Sequence, residues 1–199
     1  MFGEVTIQTF LDHLAQPGPG PGGGSAAALM GAIGAALIGL ASAASMELTA
    51  DAPDDTFLAE SRTLAKILTD RFLALMDADY QAAVRIITVS RQLHAAGHAA
   101  DQASQEALQQ ALKEGVLPPL EIAKTCAETL HLARQIISQC KPTVRSDAWA
   151  AARAAEAGLL AAAAIAEGNL DGIRDADYVC CQKEKLRSYI HNYAPAPTT

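Results

Sequence analysis

The sequence predicts an all-α protein, an elongated antiparallel helical bundle around a buried Ala/Gly-rich central helix, and three observations carry that expectation. Half of the residues are hydrophobic but only 5% are aromatic, so the interior must be filled by Ala, Leu and Ile, and Ala is the strongest helix former. No stretch alternates cleanly between apolar and polar residues as a half-buried strand would. Apolar residues recur instead at the three-to-four spacing of one helix face. The 199 residues are enough to bury a substantial core. Residues 1–199 read as one helical domain whose end, Ala194–Thr199, is a flexible tail.

A short first helix is expected over Val5–Ala15, with Ile7, Phe10, Leu11 and Leu14 on one side. From Gln16 to Gly24, prolines that fix φ alternate with glycines that permit unusual backbone angles, which makes a shaped loop. Gly24 or Ser25 then caps a small-residue helix over Ser25–Leu48. Gly31, Ala35 and Gly39 form a smooth ridge on it, and the helix is expected to be buried on most of its circumference. Leu14 to Met46 carries no charge, and Ser25–Met46 is long enough to span a bilayer. Its many small residues, and acids in place of a flanking Lys/Arg cluster, favour the core helix of a protein with no membrane partner.

Asp54, Asp55 and Thr56 suit the start of a long helix over Asp55–Ala95. Leu64, Leu68, Phe72, Leu75, Ala82, Ala83, Ile86 and Leu93 share one stripe of it. A helix this long needs a partner along its length, which points to a homodimer. After an amphipathic segment at Asp101–Glu114, Gly115-Val116-Leu117-Pro118-Pro119 is expected to break the chain and open a helix over Pro119–Cys140. Beyond Lys141-Pro142-Thr143, Ser146 caps a helix over Asp147–Glu167 that Gly168-Asn169 ends. A last helix runs over Asp175–Tyr193.

A formal net charge of −7 argues against a nucleic-acid partner, which needs a basic surface. Cys126 and Cys140 fall on one expected helix about 21 Å apart, too far to bond. No cysteine pair has CxxC spacing, so the four read as reduced thiols of a cytoplasmic protein. Met1–Asp12 is neither basic nor strongly apolar, so no signal peptide is expected.

Three constellations could carry chemistry. Gly22, Gly23, Gly24 and Ser25 place exposed N–H groups at a helix N-terminus, where a carboxylate or phosphate could sit; the structural alternative is a tight entry into a crowded core. Asp79 lies mid-stripe, with Phe72 about 20° to one side and Leu75 about 40° to the other at 100° per residue. A carboxylate there must be paired, hydrogen-bonded or functional, whereas Asp77 projects to nearly the opposite face. Ser146 and Asp147 open a helix beside Lys141 and Arg145, the most basic spot for an anionic ligand, although capping alone would explain both. His94 and His98 have i, i+4 spacing without a clear third ligand, so no metal site is expected. His13, His131 and His191 read as ordinary surface or core residues, and Trp149 as a packing residue that could also cover a flat ring.

Taken in order, these segments resemble the cyclodeaminase domain of formiminotransferase-cyclodeaminases and the related methenyltetrahydrofolate cyclohydrolases. The likeness rests on Pro21-Gly22-Gly23-Gly24-Ser25 leading into a Gly/Ala helix and on Asp77-Ala78-Asp79 within a long one. It continues with Leu117-Pro118-Pro119-Leu120-Glu121-Ile122-Ala123, with Ser146-Asp147 and with Asn169, so that it spans nearly the whole chain. It implies a dimeric all-helical fold acting on one-carbon units that bridge two nitrogens of tetrahydrofolate, with no metal or cofactor beyond the folate substrate. Asp79 would be the leading acid/base or electrostatic residue and Asp147 the second. Gly22, Gly23, Gly24 and Ser25 would contact the pterin or the glutamate tail, with Arg145 and Ser146 as further binding residues. Where family members carry a lysine cluster and a tyrosine after the Gly/Ala helix, this chain has Met46-Glu47-Leu48-Thr49-Ala50-Asp51-Ala52-Pro53. That loss leaves a second expectation, a relative that keeps the bundle but binds without catalysis or takes an altered ligand.

Overall fold

The computed structural model describes residues 1–18, 20–47, 56–96 and 101–191. These form six α-helices and no strand: α1 (Ile7–Leu14), α2 (Gly23–Glu47), α3 (Thr56–Ala96), α4 (Gln102–Gln139), α5 (Arg145–Leu170) and α6 (Ala176–His191). One-turn 3₁₀ segments sit at Phe2–Glu4 and Pro142–Val144. The expected Asp54-Asp55 cap, Gly97, His98 and the Ala194–Thr199 tail lie outside the described residues.

The Ala-rich composition shows its purpose in α2, which packs against α3, α4 and α5 with Ala27, Ala28, Ala35, Ile38 and Ala41 fully buried. The α5 backbone approaches the expected Gly31-Ala35-Gly39 ridge at Gly31, whose N lies 3.2 Å from where a Cβ on Gly158 would fall, and approaches again beside it. A Cβ on Gly34 would stand 2.9 Å from the Ala151 carbonyl, and one on Gly158 would stand 2.9 Å from the Ala27 carbonyl. Gly31 also makes room for the Phe72 ring, and Gly39 faces only Ala65. One side of the helix, carrying Met30, Ile33 and Leu40, faces outward. Gly23–Met46 and Pro142–Leu170 are both long and apolar enough to cross a membrane, and they are 50% and 44% buried against the rest of the chain.

Two breaks expected from local rules do not occur. The α4 helix runs straight through Pro118 and Pro119. Each proline removes one i→i−4 hydrogen bond, leaving the carbonyls of Glu114 and Gly115 without their helical donors. Tertiary structure compensates at Gly115, whose carbonyl accepts from Asn169 Nδ2 at 2.8 Å; Tyr178 Oη donates to the nearby Lys113 carbonyl at 3.0 Å. Gly115 also lets Ile86 close against the helix. Likewise Gly168 and Asn169 do not end α5, which continues to Leu170 because Asn169 is engaged with α4. Ser146 is not a cap either: α5 starts one residue earlier, at Arg145, after the 3₁₀ turn, and its cap position, Val144, carries no side-chain hydrogen bond.

Candidate active site

The Gly-rich loop enters α2 without a side-chain cap. Gly23 already lies in the first turn, and Ala26 N–H donates to the Gly22 carbonyl at 3.0 Å. Ser25 therefore points inward, its side chain fully buried, with Oγ 3.1 Å from the Met76 carbonyl and 3.0 Å from Asp79 Oδ2, to either of which it can donate. Asp79 is 8% exposed. Its Oδ1 lies where a Cβ on Gly24 would fall, only 2.0 Å from that ideal position. Gly24 is thus the residue that admits the carboxylate. A Cβ on Gly23 would meet only the flexible tip of Ile165, at 2.7 Å, and one on Gly22 would meet nothing.

Burial pushes the Asp79 carboxyl above the ordinary carboxylate range, and the Ser25 side chain and backbone pull it partly back. Loss of water disfavours the charged form, while donors aimed at it favour it. A carboxyl so placed can hold or release a proton nearer neutrality than a surface acid can.

Beside this pocket lies a cleft of about 280 Å³ lined by Phe2, His13, Gln16, Pro17, Gly18, Gly20, Pro21 and Tyr80. A second cleft, of about 220 Å³, adjoins it at Phe2, His13 and Tyr80 and is lined in addition by Asp77. Asp79 itself lines neither cleft, while its chain neighbour Tyr80 lines both. The N-terminal turn is tied down by Phe2 N–H donating to Asp77 Oδ1 at 2.8 Å and by Phe2 packing edge-on against Tyr80, centroids 5.1 Å apart. Asp77 does lie on a different side of α3 from Asp79, but it is half-buried and structural. Phe2, His13 and Tyr80 escaped the sequence reading, since only the fold brings residue 2 beside residue 80. A Tyr next to an inward Asp was the one available hint.

The other expected site residues are elsewhere. Gly23 abuts Ile165 on α5, and Asp147 lies a further 18 residues along that helix, about 27 Å away at 1.5 Å per residue. Lys141 N–H donates to Ser45 Oγ at 3.1 Å, which fixes the Lys141–Asp147 segment at the far end of α2. Arg145 and Ser146 are exposed there, and Asp147 and Trp149 are half-buried. Asp79 and Asp147 thus do not meet within one chain. Among the described residues no three His, Cys, Asp or Glu side chains gather as a metal site, and His94 Nδ1 lies 2.7 Å from the Ser90 carbonyl. Cys126 is buried, which pushes its thiol far up and leaves it inert.

A family model described as formiminotransferase-cyclodeaminase matches residues 6–188. The chain belongs to that family. A methenyltetrahydrofolate cyclohydrolase of Methylorubrum extorquens is 34% identical to it over 205 residues, covering 94% of this chain and 88% of that protein. The crystal structure of a formiminotetrahydrofolate cyclodeaminase from Thermotoga maritima matches with a TM-score of 0.82 at 17% identity, covering 97% of this chain and 93% of that one. The all-helical fold is therefore shared with that protein. Within this cyclodeaminase-family fold, the Pro21–Ser25 and Asp77–Asp79 segments that carried the resemblance converge on one pocket. Leu117–Ala123 forms the middle of α4, and Ser146-Asp147 stands apart.

Proposed function

We propose that this chain is a folate-dependent one-carbon enzyme, a methenyltetrahydrofolate cyclohydrolase. The observation that carries the reading is the buried Asp79 carboxyl, held by Ser25 against Gly24, with its chain neighbour Tyr80 lining a cleft that also takes in Gly20 and Pro21. The 34% identical cyclohydrolase favours hydrolysis over deamination. Water adds to the bridging carbon of the N–CH=N⁺ unit, forming a C–O bond while the π pair moves to nitrogen. The neutral adduct then breaks one C–N bond, its electron pair staying on the departing nitrogen, which takes up a proton as the formyl group forms. One proton is released overall. Asp79 accepts a proton from the attacking water and passes one to the departing nitrogen, and its charge steadies the cation. No cofactor beyond the tetrahydrofolate derivative is required, because the bridging carbon is already electrophilic. Gly20 and Pro21 line the cleft, and Gly22, Gly23, Gly24 and Ser25 continue from them into α2, where Gly24 and Ser25 meet Asp79.

The test is the absorbance of the methenyl chromophore mixed with purified protein. Decay above the spontaneous rate is expected, falling by about 10²–10⁴-fold in Asp79→Asn, the usual worth of a positioned acid/base group. Tight binding without decay would instead identify a non-catalytic relative, and ammonia release from a formimino substrate would identify a cyclodeaminase. The acid limb of kcat/KM should lie above the ordinary carboxylate range, because the base must be ionised and its burial raises its pKa.

The same reading takes residues 1–199 as one domain, working as a homodimer in the cytoplasm without nucleic-acid or membrane partners. Four unbridged cysteines, two of them exposed, and the acidic net charge support the compartment and the absence of nucleic acid.

A further inference from the structure

We propose that Gln16 reads the lactam edge of the substrate's pterin ring, which rests on Tyr80 in the cleft beside the Gly-rich loop; this rests on the assignment of the Asp79 pocket as the folate site. The chemistry of the cleft selects which part of a folate it takes. Its volume of about 280 Å³ falls just below the range of sites that enclose a whole drug-sized ligand, so it seats one part. Among the described residues no Lys, Arg, Asp or Glu lines it. That excludes the glutamate tail, whose carboxylates call for cationic partners. Phe2 and Tyr80 supply aromatic surface, and Pro17 and Pro21 stiff apolar surface, which are walls for a flat ring.

The polar groups choose between the two ring systems of a folate. His13, Gln16 and Tyr80 line the cleft, and none of their side chains has a hydrogen-bond partner among the described residues. Gln8 in α1 shows the alternative, since its amide is spent on Asp12 Oδ1 at 2.8 Å. A benzoyl ring offers no edge of donors and acceptors to such groups. A pterin does, because its ring N–H and the neighbouring ring carbonyl stand side by side. A carboxamide meets that pair with its own carbonyl and NH₂, in two parallel bonds like those Gln makes with adenine.

The backbone fixes Gln16 before any ligand arrives. Its N–H donates to the His13 carbonyl at 3.2 Å, and Pro17 follows with its φ locked. Gly18 then takes a φ of +134°, a conformation open to glycine. The chain turns there and brings Gly20 back to the same carbonyl, 3.2 Å from where a Cβ on Gly20 would fall. On the other side Phe2 is pinned edge-on to Phe10, with centroids 5.9 Å apart, as well as to Tyr80. Walls held this way cut the ordering cost of binding. Tyr80 follows Asp79 directly, with consecutive Cα atoms about 3.8 Å apart, so a ring resting on Tyr80 sits within one helical turn of the acid.

The probe is 6-methylpterin, a fluorescent ring without the benzoyl-glutamate arm, titrated with the full chain. Its emission should change saturably, and the methenyl compound should displace it. Gln16→Leu should weaken its binding about tenfold, within the worth of one bidentate pair, and Gln8→Leu should leave it unchanged. Gln16 is exposed and its side chain ties nothing in the fold, so the variant should melt as the wild type does. In turnover, Gln16→Leu should raise KM for the methenyl compound about tenfold and hold kcat within about twofold, because the lactam edge keeps one charge throughout the reaction. A wild type that does not bind 6-methylpterin, or an unchanged affinity in Gln16→Leu, overturns the assignment. Gln16-dependent binding without decay of the chromophore sinks the cyclohydrolase reading and leaves the ring site standing. Decay with an unchanged KM in Gln16→Leu does the reverse.

Discussion

The two ends of α2 handle a carboxylate in opposite ways. At the Gly-rich end Asp79 is nearly dry, pressed against Gly24 and held by Ser25. At the other end Asp147 is half-buried in the first turn of α5 with exposed Arg145 and Ser146 around it. Each solves a charge problem. The first displaces the proton equilibrium of the acid, and the second leaves the acid where a helix N-terminus favours it. The contrast shows that close packing, and not a place along a helix, is what moves the proton equilibrium of an acid.

The largest expected contrast is between Asp79→Asn and Asp147→Asn. The first should cost 10²–10⁴-fold in turnover yet raise the melting temperature at pH 7. The sign follows from the raised pKa. The fold favours the protonated acid, so its stabilisation is fully present below the ordinary value of 3.8 and is lost as pH rises through the raised one. The gain in Tm should therefore shrink toward pH 4, and melts showing a constant difference from pH 4 to 8 would break the account. Asp147→Asn should lose about 0.3–1 kcal/mol of helix-dipole stabilisation and slow turnover less than Asp79→Asn does.

Next comes Gly24→Ala against Gly22→Ala. The new methyl at 24 would occupy the place of Asp79 Oδ1, whereas the one at 22 enters open space. Gly24→Ala should lower stability by about 1–3 kcal/mol, the usual cost of overpacking, and abolish turnover. Gly22→Ala should melt like the wild type, as thermal scans would show.

Ser25→Ala and Ser146→Ala give the smallest contrast. Losing the Ser25 hydroxyl removes a donor that lowers the Asp79 pKa, so the acid limb of kcat/KM should move to higher pH. Ser146 is exposed and caps nothing; its replacement should leave stability within about 0.5 kcal/mol. A large loss at 146 would mean that this end of α5 does more in the folded protein than the structure assigns to it.

Much of this architecture is local and was legible in the chain. Helix periodicity depends on neighbours three and four apart, so α1, α3 and α6 start and stop within two residues of expectation where they are described, and Asp79 faces inward as its angular position required. The likeness to the cyclodeaminase family was legible for the same reason, being carried by short contiguous segments such as Pro21–Ser25. What the sequence could not supply depends on residues far apart along the chain. Pro118 and Pro119 stay helical because Asn169, some fifty residues on, serves the Gly115 carbonyl. Ser25 turns from cap to ligand of Asp79 because α3 crosses at Gly24. Asp79 and Asp147, read together as one site, lie at opposite ends of α2 because α5 runs antiparallel to it. Periodicity fixes which way a side chain faces, and only packing decides what it meets.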